Sequence, residues 1–407
     1  MTDVDSTEAG EVDAVVFELM ATPEGRADPY PRYERLRALG RASRSAEVPV
    51  WYLTGFDDCH QVLRDLRFGK GSRLRSIVAG SELPETDDGR RRSMLFMNPP
   101  DHTRLRGLVS RAFTPRRVEQ LHDNIVTMVD ELLDPLLGAG PVDLMEALAY
   151  PLPVRVISEL IGVPAADRDR FRSHTAKLVT TLEPVYSQDQ QAEAEAAAIE
   201  FGEYFSWLID ERRVRPADDL LTGLVQARDG DDALTHDELI ATLILIYAAG
   251  FETTTNLIGN GIWTLLRHPD QLAHLRRERS LVPNAVEEIL RVESPVQIDG
   301  REAFETIEVA GTVIPAGESV ITLLGAANRD PQKLVDPHVF DITREDVPVL
   351  SFASGIHFCL GASLARLEGR VVLDRVLDRF DTITVVEEPT WKANLTLRGL
   401  ESLLVDV

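Results

Sequence analysis

The stretch from Thr235 to Leu266 limits what this chain can fold into more than any other. Thr235-His236-Asp237-Glu238 puts a Thr at a cap position and a Glu three residues later, so that each side chain satisfies the other's free backbone amide. An apolar run follows to about Leu266 and stops at Arg267-His268-Pro269. The spacing predicts one helix of about 31 residues, roughly 46 Å long at about 1.5 Å each. Its middle is apolar on every side, so it belongs inside a protein. The rest of the chain must wrap around it. Within it lies Ala249-Gly250-Phe251-Glu252-Thr253-Thr254. A helix-interior Gly costs about 1 kcal/mol, and a buried carboxylate costs more unless partnered. Two unfavourable choices side by side point to a function. The plain alternative has Thr253 bonding back to the carbonyl four residues earlier and Glu252 reaching the surface.

A second signal is Phe352-Ala353-Ser354-Gly355-Ile356-His357-Phe358-Cys359-Leu360-Gly361. Leu360 to Phe380 is apolar-periodic and reads as a helix, so Cys359 lies at or just before a helix N-terminus. Free amides and the positive end of the macrodipole meet there. Both lower a thiol's pKa, and the thiolate is the form that binds metals. Gly355 and Gly361 allow tight turns around the sulfur. One cysteine supplies one ligand, whereas a structural zinc wants four. Heme suits a single thiolate, because the porphyrin supplies the other donors. The plain alternative is a core cysteine. Elsewhere, the turn Asn98-Pro99-Pro100-Asp101 leads into a helix that sets His102 and Arg106 at i and i+4 on one face. Two such donors can bind the oxygens of one carboxylate, and heme carries two propionates. Glu288 and Arg291, in Asn284-Ala285-Val286-Glu287-Glu288-Ile289-Leu290-Arg291, fall at i and i+3 and can pair.

The 407 residues exceed one small core but suit a single large fold with a cofactor at its centre. Cys59 and Cys359 make no disulfide framework, which fits a reducing, cytoplasmic setting. A net charge of −24 excludes general nucleic-acid affinity. Against that balance, Arg90, Arg91, Arg92, Arg104, Arg106, Arg111, Arg116 and Arg117 form a local basic stretch opposed by Asp101 alone. Residues 1–27 are acidic up to Arg26 and are expected to be disordered, with no signal-peptide pattern. The longest apolar run, Leu239 to Phe251, includes Thr242 and ends at Glu252, short of the roughly 18 residues of a membrane span. No membrane anchor is expected.

Residues 28–407 read as one domain. Arg32 to Leu39 is a short helix between Pro31 and Gly40. Val48 to Thr54 is strand-like, and Phe56 to Leu66 is helical, with Cys59 in its core. Gly69 to Asp88 is a long polar loop, a kind of segment that is usually functional. Helices with breaks at Gly138 to Pro141, Gly162 to Pro164 and around Pro184 occupy residues 115–205; Glu193 to Glu200 is expected to be exposed. Ser294 to Arg301 is extended, Val309 to Glu318 is a hairpin, and Ile383 to Val386 and Ala393 to Leu397 read as strands.

Four motifs in order, around His102, Glu252-Thr253, Glu288-x-x-Arg291 and Cys359, resemble those of the cytochrome P-450 family, from about Asp28 to about Leu404. Two departures are Ala353, where the family usually has Gly, and Val292, where an aromatic is frequent. The resemblance implies a mainly α single-domain fold with a smaller β-rich part, and heme b held between the long central helix and the cysteine-loop helix. It implies Cys359 as axial iron ligand and His102, Arg106, Arg301 and His357 as propionate partners, with Phe352, Gly361 and Ala249 beside the heme. Glu252 would relay protons and Thr253 would hydrogen-bond dioxygen where the helix opens locally. Glu288 and Arg291 would form a buried structural pair. Leu245, Ala248, Val296, Gln297, Ile298, Leu395 and Thr396 would line the substrate pocket, covered by the loop at Gly69 to Asp88 and by a lid at Pro184-Val185-Tyr186.

The implied activity is monooxygenation, hydroxylation or epoxidation, of a small to medium apolar molecule. No Rossmann glycine motif or cluster-binding cysteine set is present, so two electrons must arrive from outside this chain, and a separate ferredoxin and its reductase are the expected source. The basic stretch at Arg90 to Arg117, extended by Arg366 and Arg370, is the expected docking face. The resemblance is to the soluble bacterial type, acting as a monomer. The alternatives are a heme-thiolate enzyme that uses peroxide or rearranges its substrate, and a non-catalytic heme binder.

Overall fold

The computed structural model describes residues 6–71, 93–184 and 186–407. The expected central helix runs His236–Arg267. Both arms of its capping box form: the Glu238 amide donates to Thr235 Oγ1 at 3.2 Å, and the Thr235 amide to Glu238 Oε2 at 2.8 Å. Around it pack the helices Pro151–Ile161, Arg172–Thr180, Gln188–Val214, Val282–Val292 and Ala362–Arg379. By length and composition the central helix could also cross a membrane, but here it is the core around which the others are laid. An aromatic cluster of Phe171, Phe201, Phe205 and Tyr247 fastens the Arg172–Thr180 and Gln188–Val214 pair to it, with Phe171 and Phe201 ring centroids 4.6 Å apart. Ala194 and Ala197 lie on the buried side of Gln188–Val214, so the stretch expected to be exposed is so on one face only.

The smaller part is a five-stranded sheet, ordered Ala42–Arg44, Val50–Leu53, Ser319–Leu323, Ile298–Ala303 and Phe68–Gly69. Ser319–Leu323 is central, parallel to Val50–Leu53 and antiparallel to Ile298–Ala303, with Val320 opposite both Trp51 and Arg301. All five of its residues are buried, as its apolar run Val320, Ile321 and Leu323 requires of a strand covered on both faces. The hairpin is Ile307–Val309 with Thr312–Ile314.

Two expectations do not hold. Residues 6–27 are helical, Ser6–Ala21 then Pro23–Ala27, rather than disordered. Val12, Val15 and Leu19 recur at helical spacing and bury beside Tyr33, Val50 and Leu395, which offsets the acidic composition. Ala393 to Leu397 forms no strand; apart from one bridge, Val296 to Leu397, it is a strap between Thr390–Trp391 and Leu400–Ser402. The Gly69 to Asp88 loop, beyond residue 71, lies outside the described residues, as do Arg90, Arg91 and Arg92.

Candidate active site

The cysteine loop is set by its backbone. Ala353 and Gly355 both take left-handed conformations, φ 55° and 69°. At Gly355 a Cβ would stand 2.4 Å from the Leu63 carbonyl oxygen, so no other residue fits. Ala353 pays the steric cost that a Gly there would avoid. The Cys359 amide donates to the Phe352 carbonyl at 3.0 Å and closes the loop. Gly361 caps the helix Ala362–Arg379, and its amide donates to the Cys359 sulfur. Sequence reasoning expects a lowered thiol pKa. Burial instead pushes the Cys359 thiol up, outweighing the Gly361 amide and the nearby Arg106 and Arg366. A metal ion at the sulfur would reverse this, because a coordinating thiol is deprotonated outright.

Beneath the loop, Glu288 and Arg291 pair in two bonds of 2.7 Å, both fully buried. The other donors of Arg291 go to the carbonyls of Asn328 (3.1 Å), Pro337 (2.5 Å) and Val339 (2.9 Å). All five guanidinium protons are thus used. Glu288 also accepts the Asp341 amide and Arg344. Asn328 carries the network onward. It accepts the Leu350 amide at 2.7 Å and donates to Ser351 at 2.8 Å, just before the cysteine loop.

Beside the loop lies a cluster of donors without acceptors. His102 is 2% exposed and neither ring nitrogen has a partner; His357 Nε2 and Arg301 Nη2 are likewise buried and unbonded. The two rings lie 4.3 Å apart. Arg301 also bonds Asp299, as does Lys70 Nζ at 2.8 Å. Burial, with Arg301, Lys70 and His102 nearby, lowers the His357 pKa to about 3; burial and Arg301 lower that of Lys70 to about 8. Buried donors this crowded have a physical reason to exist if anionic oxygens meet them. Arg106 does not share this cluster in full: its Nη2 donates to the Phe358 carbonyl at 2.7 Å. The i, i+4 pair therefore divides between the donor cluster and the cysteine loop. Lys70 and Asp299 were missed, and no local sequence signal marks them.

The central helix presents Leu245, Ala248, Ala249 and Thr253 half-buried or exposed, while most residues around them are buried. Their spacing places them on one stripe, with small side chains at its centre. Thr253 Oγ1 donates to the Ala249 carbonyl at 2.7 Å, and the helix runs on without a break. The local opening expected from the family is thus not seen. At Gly250 a Cβ would sit 2.9 Å from Ile157, which makes this Gly a packing contact with Pro151–Ile161. Glu252 does not reach the surface. It is 4% exposed and bonded to Lys392 Nζ at 2.6 Å, and Lys392 also donates to Asn256 at 2.9 Å. Lys392 was not foreseen, because it stands just before the strap, 140 residues away.

Of the expected pocket residues, Val296 is half-buried. Gln297 is fully buried and turned away: it accepts the Tyr33 hydroxyl at 3.0 Å and donates to the Ser294 carbonyl at 2.8 Å. Ile298 and Leu395 pack into the cluster with Tyr33 and Val50, and the Thr396 hydroxyl donates to the Leu182 carbonyl at 3.1 Å. Among the described residues no group of three His, Cys, Asp or Glu could hold a metal ion. A metal at Cys359 would therefore need a carrier that brings its own donors and, to satisfy His102, His357 and Arg301, its own carboxylates. Heme fits both demands.

Comparison with known proteins gives the same answer. The cytochrome P450 family model matches residues 142–400. The chain is 45% identical over 388 residues to the cytochrome P450 monooxygenase PikC of Streptomyces venezuelae, covering 93% of this chain and 90% of that one. It is 42% identical over 387 residues to a vitamin D(3) 25-hydroxylase of Pseudonocardia autotrophica, covering 93% of each. Among solved structures, P450BioI in complex with a hexadec-9Z-enoic acid ligated acyl carrier protein superposes with TM-score 0.87 at 38% identity, covering 94% of this chain and 99% of that chain. The chain belongs to the cytochrome P450 family and is a heme b monooxygenase.

Proposed function

We propose that the Cys359 thiolate would hold the heme iron, and that the enzyme oxygenates a small to medium apolar molecule. The observation that carries the site reading is the set of buried, unbonded donors on His102, His357 and Arg301 beside the Cys359 loop. They would hold the heme carboxylates, joined by Lys70. Arg106, bonded to the Phe358 carbonyl, would act on both the loop and a propionate. Phe352, Gly361 and Ala249 would border the heme. When bound, heme would supply the activation of dioxygen, one atom going into a C–H or double bond and the other leaving as water, with two electrons and two protons consumed. The chain's part is binding, water exclusion and proton supply. The Thr253 hydroxyl, now on the Ala249 carbonyl, can rotate toward a ligand above the stripe. Glu252 holds the next proton-accepting oxygens along the helix.

The substrate is proposed to lie against Leu245, Ala248 and Val296, which are apolar and only partly buried. Relatives named for vitamin D(3) and for a long-chain acyl group support an apolar ligand. Electrons are proposed to come from a ferredoxin and its reductase. The basic docking stretch is less positive than its composition, since Arg104 pairs with Glu238 and Asp232, Arg111 with Asp229, and Arg366 with Glu287. Reversing the charge of Arg116 should therefore slow electron transfer more than reversing Arg104. Rates unchanged from wild type in both variants would remove this face from the docking reading.

The direct test is the absorbance of the reduced protein under carbon monoxide. A strongly red-shifted Soret band in wild type, lost in Cys359→Ala, supports thiolate ligation; a band typical of histidine-ligated heme overturns it.

A further inference from the structure

We infer that Glu183 latches the lid onto the pocket wall and so sets how readily a bulky ligand enters. It lies in the turn between the helices Arg172–Thr180 and Gln188–Val214. Its carboxylate accepts three successive strap amides: Leu395 at 2.9 Å, Thr396 at 3.1 and 3.0 Å, and Leu397 at 3.3 Å. The Thr396 hydroxyl adds a bond to the neighbouring Leu182 carbonyl at 3.1 Å. On its other edge the strap is held by the Gln297 amide on the Thr396 carbonyl at 3.0 Å, and by the Arg398 amide on the Pro295 carbonyl at 2.9 Å. One side chain of the lid turn thus grips three consecutive amides of a fixed wall more than 210 residues away in sequence.

The chemistry suits a latch. A carboxylate on several amides is a strong, charge-assisted arrangement. Burial pushes the Glu183 carboxyl above its ordinary range, and these same strap donors act against that shift. The grip therefore depends on all the amides at once, and lifting the lid breaks them together and returns the carboxylate to water. Glutamine at this position keeps the size but offers one acceptor oxygen. Its NH₂ group would face a backbone N–H. Glu183→Gln should thus release the latch without opening a cavity.

This inference rests on the reading that heme and substrate lie beneath strap and lid. The test uses the heme-loaded full chain and two iron-binding probes: bulky 4-phenylimidazole, followed by stopped flow, and carbon monoxide, followed after flash photolysis. Glu183→Gln should speed both association and dissociation of 4-phenylimidazole about tenfold, the size of one charge-assisted hydrogen bond. Carbon monoxide, small enough to pass a closed lid, should change less than about twofold. Rates for 4-phenylimidazole within about twofold of wild type would overturn the latch. So would a tenfold change common to both probes, which would indicate general loosening. Should Glu183→Gln lose heme, amide exchange in wild type decides. Leu395 to Leu397 should exchange faster than Ile298–Ala303, because the latch opens locally; equal protection would overturn it. Failure of the heme reading shows separately, as wild type without a thiolate-type Soret band.

Discussion

The two sides of the site follow opposite rules. Beneath the cysteine loop, around Glu288 and Arg291, the described polar groups are paired, and every Arg291 proton has an acceptor. Beside the loop, the ring nitrogens of His102, His357 Nε2 and Arg301 Nη2 are buried and unbonded. The first side has the chemistry of a mount, complete within the chain. The second has the chemistry of a receptor, complete only with a ligand. A buried polar group without a partner costs free energy, so the receptor side is where ligand binding should add most stability. The mount should barely notice it.

The largest break in this comparison is Glu288→Ala. It strands the fully buried Arg291 guanidinium, for which a cost of about 3–5 kcal/mol is expected. Denaturant unfolding should show that loss with or without heme. Replacing both residues by apolar ones should cost less than either single change; an equal or greater cost would show that the mount works through the carbonyls rather than the pair.

Next in size is Glu252→Gln. Proton supply by a placed side chain contributes about 10²–10⁴-fold, so product per electron consumed should fall by about a hundredfold while heme binding stays. Lys392→Met keeps the carboxylate but removes its partner at 2.6 Å, and a smaller loss of about tenfold is expected. Product yields equal to wild type in both variants would take Glu252 out of the proton path.

On the receptor side, His102→Ala should speed heme loss to a heme-scavenging protein by about tenfold, the value of one hydrogen bond to a charged group. Stability without heme should hold or rise, since a buried unbonded imidazole is removed. A fall in heme-free stability larger than the fall in heme retention would mean that His102 belongs to the mount after all.

How much of this was legible in the sequence follows the same division. The central helix was bounded to within a residue or so because its start is a local signal: Thr235 and Glu238 are three apart. The cysteine loop was legible for the same reason, and so was the Glu288–Arg291 pair. Lys70 with Asp299, Lys392 with Glu252 and Glu183 with the strap were not, because each joins segments 140 or more residues apart. The donor cluster was half read: His102 and Arg106 share a helical face, but which face meets what is decided by packing. The N-terminal helix was misread because acidic residues were weighed and the spacing of Val12, Val15 and Leu19 was not. Ala393 to Leu397 has a strand-like composition, but the strap spends its amides on Glu183 instead of a ladder.

The smallest effect sits inside the mount. Ala353 holds φ 55°, where a Cβ costs about 1–2 kcal/mol relative to glycine. Ala353→Gly removes that strain but gives the unfolded chain more freedom, worth about 0.4–1 kcal/mol the other way. Ala353 also packs against the cluster of Trp51, Leu63 and Leu350, so its methyl group contributes burial that glycine forfeits. The three terms nearly cancel, and unfolding should shift by less than about 1 kcal/mol in either direction. The sign carries the information. A net gain would mean that the loop stores strain which the completed network beneath it can bear. A net loss would mean that the methyl group is part of the packing that fixes the loop, and that alanine here is a substitution the mount has absorbed.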